Sequence, residues 1–101
     1  MVLYIDTTDF NKTTFMLADG KKLWKKSYRV DPHRSHETLQ KLDQFLKKNQ
    51  DPRTKIQKIM VNKGPGSYTG TRVGIVIAQA LGFAWGIPVK AVAKEKFKIG
   101  R

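Results

Sequence analysis

The sequence predicts an α/β fold, in which a mixed five-stranded sheet carries two main helices in the order βββαβαβ. Three observations lead to this prediction. The first 30 residues read as short strands joined by a hairpin signal, an apolar run at 56–62 reads as a buried strand and one at 89–92 as a further short strand, and helical patterns separate them. Antiparallel pairing first and alternating strands and helices afterwards predict a mixed sheet with helices on at least one face.

Length and composition limit the classes of protein that need considering. The chain has 101 residues, of which 40% are hydrophobic, enough for one small folded domain. It has no cysteine, which excludes disulfides and thiolate metal sites. Residues 1–6 enter a strand-like run and do not resemble a signal peptide, so we expect a cytoplasmic protein. A net charge of +12 predicts attraction to polyanions, nucleic acid first. A soluble protein whose surface is basic but binds no nucleic acid would have the same net charge.

The N-terminal third is predicted to form three strands. Residues 2–5 are a short apolar run, and residues 10–18 alternate loosely between apolar and polar side chains. Asp19 and Gly20 are a strong signal for a two-residue hairpin loop. Residues 21–30 form the return strand, whose two faces are not cleanly apolar and polar. We therefore place that strand near an edge, where its lysines would discourage pairing with another sheet.

A first helix is predicted from about His36 to Lys48. Ser35 can cap it and Glu37 lies in its first turn, where a negative charge suits the helix dipole. Its apolar residues recur at helical spacing: Leu39, Leu42, Phe45 and Leu46. Residues 49–55 are polar and predict a loop. The folded lobe is predicted to cover residues 1–92, and the remaining residues 93–101 read as a basic tail.

The longest apolar stretch, residues 64–86, starts with a glycine-rich turn and predicts the second helix. Small residues recur every fourth position on one of its faces: Gly70, Gly74, Ala78, Gly82 and Gly86. Glycine within a helix costs roughly 1 kcal/mol relative to alanine, so another backbone should approach closely. That backbone belongs either to the chain's own sheet or to a partner. A membrane helix is not expected, because the 15 residues between Arg72 and Pro88 fall short of the roughly 20 that a span requires.

The glycine-rich turn fits neither of the two common phosphate-binding patterns. Gly64 and Gly70 are separated by five residues instead of the four of a Walker A loop, and the dinucleotide pattern fails at its last gap. What remains is a generic anion site made by the N–H groups of Gly64, Gly66, Ser67 and Thr69. The alternative, which we favour, is structural: Gly66 supplies a positive φ, and Ser67 or Thr69 caps the helix.

The other polar residues indicate no catalytic or metal site. Asp6 and Asp9 are too few for a metal, and His33 and His36 have no third ligand in sight. No serine, histidine and aspartate set can be assembled either. We therefore predict no metal and no cofactor.

Aromatic residues among lysines suggest a different kind of site. Trp24 and Tyr28, with the lysines around them, could stack on and hold a nucleic-acid strand. A half-exposed strand of a sheet would show the same pattern, so both interpretations stay open.

A family resemblance adds to these predictions. The sequence GPGSYTGTRVGIVIAQALGFAWGIPV closely resembles the signature region of the TsaB (YeaZ) family, and IDTT at 5–8, the hairpin at 19–20 and RSHETLQKLDQFL from Arg34 fall where that family has counterparts. The resemblance implies an actin/Hsp70-like (ASKHA, ribonuclease H-like) fold. Full-length members carry a second lobe, and this chain resembles the N-terminal lobe in isolation. The resemblance also implies that the protein is a non-catalytic subunit of the bacterial machinery that makes threonylcarbamoyladenosine in tRNA.

In that family the two helices of this lobe bind the catalytic subunit TsaD or a second copy of TsaB. The resemblance therefore implies an interface built from His36, Leu39, Gln40, Gly70, Arg72, Val73, Gly74, Ile77, Ala78 and Leu81. Contact with tRNA would be indirect or through the basic surface. Two alternatives remain: a free-standing basic RNA-binding module, and a nucleotide-binding ASKHA fragment.

Overall fold

The computed structural model describes residues 1–31, 34–49 and 52–97, and its order of elements is the predicted one. The main elements are β1 (Val2–Asp9), β2 (Lys12–Asp19), β3 (Lys22–Arg29), α1 (Ser35–Lys48), β4 (Lys58–Asn62), α2 (Tyr68–Trp85) and β5 (Val89–Val92). Short 3-10 helices cover Arg53–Lys55 and Lys94–Lys96. Among the helices of the described ranges, none is both long and apolar enough to cross a membrane.

The five strands form one mixed sheet in the order β3-β2-β1-β4-β5. β1, β2 and β3 pair antiparallel, whereas β4 lies parallel to β1, and β5 parallel to β4. The prediction that the third strand lies near an edge is confirmed, and all of its residues except Tyr28 are exposed. The hairpin is confirmed, but its loop lies one residue later than predicted. Asp19 pairs with Lys22, so the loop consists of Gly20 and Lys21, and Gly20 adopts a φ of +60°.

The helices share one face of the sheet, where the core lies. Alternate residues of the central strands point to that face, among them Leu3, Ile5, Phe15, Ile59 and Val61, each fully buried. α1 adds Leu42, Phe45 and Leu46, and α2 adds Ala78. Burying each large apolar side chain stabilises the fold by about 1.5–3 kcal/mol, so this layer holds both helices on the sheet.

α1 begins one residue earlier than predicted, because Ser35 is its first residue and Arg34 occupies the N-cap position. Glu37 organises this start: its carboxylate accepts a hydrogen bond from the Asp31 N–H at 3.1 Å and pairs with the Arg34 guanidinium at 3.3 Å. His33, considered above as a metal ligand, lies outside the described residues.

Residues 93–97 pack against the lobe, although they belong to the predicted tail. The Lys94 N–H donates to the Gly64 carbonyl at 2.8 Å, and the Phe97 ring lies edge-on to Tyr4 with 5.8 Å between centroids. Tyr4 belongs to the sheet face opposite the helices, and Phe97 is 9% exposed there. The division after residue 92 stays a prediction, and residues 98–101 lie outside the described residues.

Candidate protein interface and the glycine-rich turn

The small-residue stripe of α2 faces the chain's own sheet. Its buried members are Gly70, Gly74, Ala78 and Gly82. A methyl group added at Gly74 would overlap the Thr7 side chain, and one added at Gly82 would overlap Val89. The close approach predicted from the glycines is therefore confirmed, and the approaching atoms belong to the chain's own sheet: the Thr7 backbone at Gly70, the Thr7 side chain at Gly74 and the Val89 side chain at Gly82. The alternative considered above, in which Gly74, Ala78 and Gly82 make room for the backbone of a partner, is therefore wrong.

This orientation also corrects three residues of the predicted interface. Gly70, Gly74 and Ala78 are buried on the face of α2 that packs on the sheet, and Gly70 and Gly74 meet β1 there, so a partner cannot reach them while the lobe is folded. The other seven surround the space between the helices. His36, Leu39, Gln40 and Arg72 are exposed, whereas Val73, Ile77 and Leu81 are half-buried.

Two adjoining hollows form a continuous groove between α1 and α2, called here the helical groove. The first, of about 600 Å³, is lined by His36, Leu39, Tyr68, Thr69, Arg72, Val73, Val76 and Ile77. The second, of about 430 Å³, is lined by His36, Leu39, Gln40, Leu42, Asp43, Leu46, Arg53, Leu81 and Trp85. Because both contain His36 and Leu39, the first turns of α1 form the shared wall.

Large apolar side chains are exposed along this groove and on the outer side of α2. Leu39 is 49% exposed, Val76 62%, Tyr68 74% and Phe83 90%. The last three were missing from the predicted interface. On the helical wheel, each of these three residues lies away from the glycine stripe. Had the stripe been assigned to the sheet, the sequence would have predicted that these residues lie on the exposed side of α2.

Polar groups border the groove at both ends. At one end, the Arg72 guanidinium donates to the Tyr68 hydroxyl at 2.7 Å and lies 5.3 Å from the centroid of the same ring. At the other end, Asp43 pairs with Lys47 at 3.1 Å and with Arg53. The hydrogen bond from Lys47, helped by the one from Arg53, lowers the pKa of the Asp43 carboxyl below its ordinary value. Asp43 therefore stays ionised at neutral pH.

The glycine-rich turn caps α2, as the favoured interpretation predicted. The Ser67 hydroxyl accepts a hydrogen bond from the Gly70 N–H at 3.2 Å. The Ser67 N–H itself donates to the Thr8 carbonyl at 2.7 Å, and the Gly64 N–H donates to the Asn62 amide oxygen at 2.9 Å. Two of the four N–H groups proposed for an anion site are thus engaged within the protein. Thr69, another of the four, lines the helical groove.

Gly66 has a different role from the predicted one. The positive φ of this turn, +93°, belongs to Gly64, and Gly66 is not among the positive-φ glycines of the described chain. Gly66 is needed because β1 passes so close that an added Cβ would lie 2.6 Å from both the Thr8 carbonyl oxygen and its Cβ. The turn is therefore packed onto the end of β1.

The carboxyl end of β1 is closed by its own hydrogen bonds. β1 is longer than the predicted run at 2–5: it continues to Asp9, so Asp6, Thr7 and Thr8 belong to the strand. The Asp6 carboxylate accepts from the Thr8 N–H at 3.0 Å and from its hydroxyl at 2.7 Å. Within residues 1–31, 34–49 and 52–97, no three histidine, aspartate or glutamate side chains come together as metal ligands would.

Residues 30–95 match the family model described as TsaD, tRNA N6-adenosine threonylcarbamoyltransferase. The matched residues make up well over half of the chain. The chain belongs to this family. Among curated proteins it is 50% identical over 38 residues to the tRNA threonylcarbamoyladenosine biosynthesis protein TsaB of Bacillus subtilis, a match covering 38% of this chain and 17% of that protein.

Solved structures extend the likeness to most of the chain. YeaZ from Pseudomonas aeruginosa superposes with a TM-score of 0.80 at 24% identity, over 91% of this chain and 43% of YeaZ. The chain thus spans less than half the length of YeaZ, and its match to the B. subtilis protein covers a smaller share still. Together with the TsaB match, this superposition confirms the resemblance to the TsaB (YeaZ) family.

A more distant structure is similar in fold only. RuvC from T. thermophilus, solved with a Holliday junction substrate, superposes with a TM-score of 0.61 at 13% identity, over 93% of this chain and 64% of RuvC. The predicted fold class, an actin/Hsp70-like and ribonuclease H-like lobe, is therefore confirmed.

Proposed function

We propose that the chain is a non-catalytic subunit in the formation of threonylcarbamoyladenosine in tRNA, and that it binds a TsaD-type catalytic subunit through the helical groove. The names of the family model and of the B. subtilis relative supply the pathway. Such a subunit would work in the cytoplasm, where it would meet tRNA as part of the assembly.

One observation carries the proposed interface: an apolar surface that the lobe does not cover. Leu39 and Val76 are 49% and 62% exposed and face the same hollow, with half-buried Val73 and Ile77 beneath them. Contiguous exposed apolar patches on folded domains often mark surfaces that bind other proteins. The polar borders at Arg72 and Asp43 complete the pattern of an apolar centre with a polar rim.

The two helices offer a partner helix a place to bind. A groove between two helices accepts the apolar face of a third, or of a helix pair from a second subunit, in the way that helices pack into a bundle. In the absence of TsaD, the same surface would pair with itself about a two-fold axis, the commonest symmetry of homomeric proteins. We therefore expect a homodimer in isolation and a heterodimer with TsaD.

The closed turn supports a non-catalytic role. A phosphate held at the end of β1 would need free donors there, but the Thr8 N–H donates to Asp6 and the Ser67 N–H donates to Thr8. Gly66 also brings the turn into contact with Thr8. These contacts disfavour the alternative of a nucleotide-binding fragment.

Leu39→Glu is expected to weaken binding to a TsaD-type subunit at least about 30-fold, because it places an unpaired charge in the centre of an apolar interface. Leu23→Glu is the matched control: Leu23 is also 49% exposed but belongs to β3, away from the groove. Calorimetric titration of each variant with the purified TsaD-type subunit measures the effect.

Sedimentation of the same proteins without TsaD should show the Leu39 variant as a monomer and the Leu23 variant as a dimer. Circular dichroism checks that both remain folded. Equal weakening by the two variants, or wild-type protein that binds neither TsaD nor itself, would contradict the proposed interface.

A further inference from the structure

A second surface lies on the other flank of α1, where the last turn of that helix meets β3. Two shallow clefts adjoin there, of about 410 and 570 Å³, and both are lined by Trp24, Lys48 and Asn49. Lys26 and Tyr28 are among the other residues that line the first cleft, and Lys22 and Lys55 are among those that line the second. The lysine–tryptophan surface is defined here as Trp24 with Lys22, Lys26, Lys48 and Lys55.

The register of the sheet explains why an aromatic ring and lysines meet at this place. Trp24 pairs with Leu17, and Lys26 pairs with Phe15, so both point to the helix-bearing face of the sheet. β3 is the edge strand and α1 does not cover it fully, which leaves Trp24 37% exposed. Lys41 of α1 reaches the same edge, where its ammonium lies 5.8 Å from the centroid of the Tyr28 ring.

The positive charges of this surface are not neutralised by the described residues. The ion pairs of the described chain are Lys12 with Asp9, Arg34 with Glu37, and Asp43 with Lys47 and Arg53. None of them involves a lysine of the surface. Among the described residues lining the two clefts, one, Asp19, is acidic. Four lysines thus surround a partly exposed indole with a single carboxylate beside them.

We propose that the lysine–tryptophan surface binds single-stranded RNA, with one base stacked on Trp24 and the neighbouring phosphates held by the lysines. Exposed aromatic rings flanked by cations are how proteins hold unpaired bases and their backbone. The net charge of +12 would favour the approach of any polyanion, and the indole adds the preference for an unstacked base.

The surface leaves the helical groove free. The groove uses the flank of α1 that carries His36, Leu39 and Gln40, whereas the RNA would contact Lys48 and the edge strand. A TsaD-type subunit and an RNA could therefore bind at the same time. The choice of tRNA as the natural RNA rests on the proposed function, but the binding surface itself does not.

The test is fluorescence anisotropy with a labelled oligouridine of about ten nucleotides and with an unmodified tRNA transcript. The double variant Lys26→Gln/Lys48→Gln is compared with the control Lys63→Gln/Lys90→Gln, which removes the same charge. Lys90 belongs to β5, the opposite edge strand, and Lys63 directly follows β4. Losing two phosphate contacts should lower the salt-dependence slope by about 1.4 and weaken binding roughly 10- to 30-fold near 0.1 M salt. The control pair should change neither quantity by more than about twofold.

Trp24→Ala separates stacking from charge. It should weaken oligouridine binding about 5- to 150-fold and leave the salt slope unchanged, because no phosphate contact is lost. Leu23→Ala, in the neighbouring position on the opposite face of the sheet, should have no effect. For every variant, the circular dichroism spectrum and the affinity for the TsaD-type subunit should be unchanged. A failure of the RNA proposal would therefore leave the proposed interface intact, and a failure of the interface would leave the RNA proposal intact.

Any of the following results would overturn the RNA site: equal weakening by the two lysine pairs, no dependence on Trp24, or duplex RNA that binds as tightly as oligouridine. Polyglutamate of the same length that competes as well as RNA would also overturn it, since it would show attraction to any polyanion.

Discussion

Gly74→Ala is expected to destabilise the lobe, although the same change within an exposed helix stabilises by about 1 kcal/mol. The added methyl group would overlap the hydroxyl oxygen of Thr7, a residue that is 4% exposed and held within β1. Overpacking of this kind costs about 1–3 kcal/mol, so we expect a net loss of free energy of unfolding in urea.

Thr7→Ala provides the test of that cause. It removes the atoms that a methyl group at position 74 would meet first, and it deletes a buried hydroxyl that has no hydrogen-bond partner among the described residues. In the double variant the loss should therefore shrink by about 1 kcal/mol or more, as a coupling between contacting residues. Gly70→Ala should not be rescued, because its obstacle is the Thr7 carbonyl oxygen. A Gly74 variant as stable as wild type would mean that α2 does not pack on β1 through this stripe.

Phe15→Ala is expected to cost about 3–5 kcal/mol, the usual range for removing a buried aromatic side chain. Phe15 is fully buried in β2, with the rings of Tyr28 and Phe45 at 6.0 and 5.8 Å between centroids. Its loss would open a cavity between the sheet and α1. Since small domains have total stabilities of about 5–15 kcal/mol, the variant should be partly unfolded at 37 °C.

Phe10→Ala is the matched control for this prediction. Phe10 is 67% exposed and lies in the two-residue turn between β1 and β2, and exposed substitutions usually change stability by less than about 0.5 kcal/mol. Urea denaturation followed by circular dichroism compares the two variants. A similar loss in both would contradict the alternation that places Phe15 in the core.

The order of strands and helices could be predicted because it depends on local patterns. Apolar runs, helical spacing and turn residues are written into short segments, and each found its element. The errors lay at the boundaries: the hairpin loop and α1 start one residue away from the predicted positions, β2 and β4 start two residues later, and β1 continues four residues beyond the predicted 2–5. Such boundaries depend on a few weak hydrogen bonds and shift easily.

The orientation of α2 could not be predicted, because this helix is apolar nearly all round. A helix with one polar face shows which side meets water, but here both the glycine stripe and the side bearing Val76 and Phe83 look fit for burial. Contact with Thr7, a residue distant in sequence, decides between them. The error over Gly66 has the same origin: its close approach to Thr8, a residue distant in sequence, explains why glycine is needed there, and the positive φ belongs to Gly64.

Leu39 illustrates why the groove was predicted only in part. Its spacing from Leu42, Phe45 and Leu46 is that of a core residue, yet it is 49% exposed while those three are almost fully buried. Periodicity identifies the apolar side of a helix but not how far the neighbouring elements cover it. The family resemblance placed Leu39 in an interface, which is the role that this exposure supports.

Hydrogen–deuterium exchange on the chain, with and without a TsaD-type subunit, tests the proposed interface most directly. Binding through the helical groove should protect the amides of the first turns of α1 and of α2 from Tyr68 to Phe83, while β3 exchanges as before. Protection confined to β3 or to the turn from Gly64 to Gly66, with the two helices unchanged, would contradict the account.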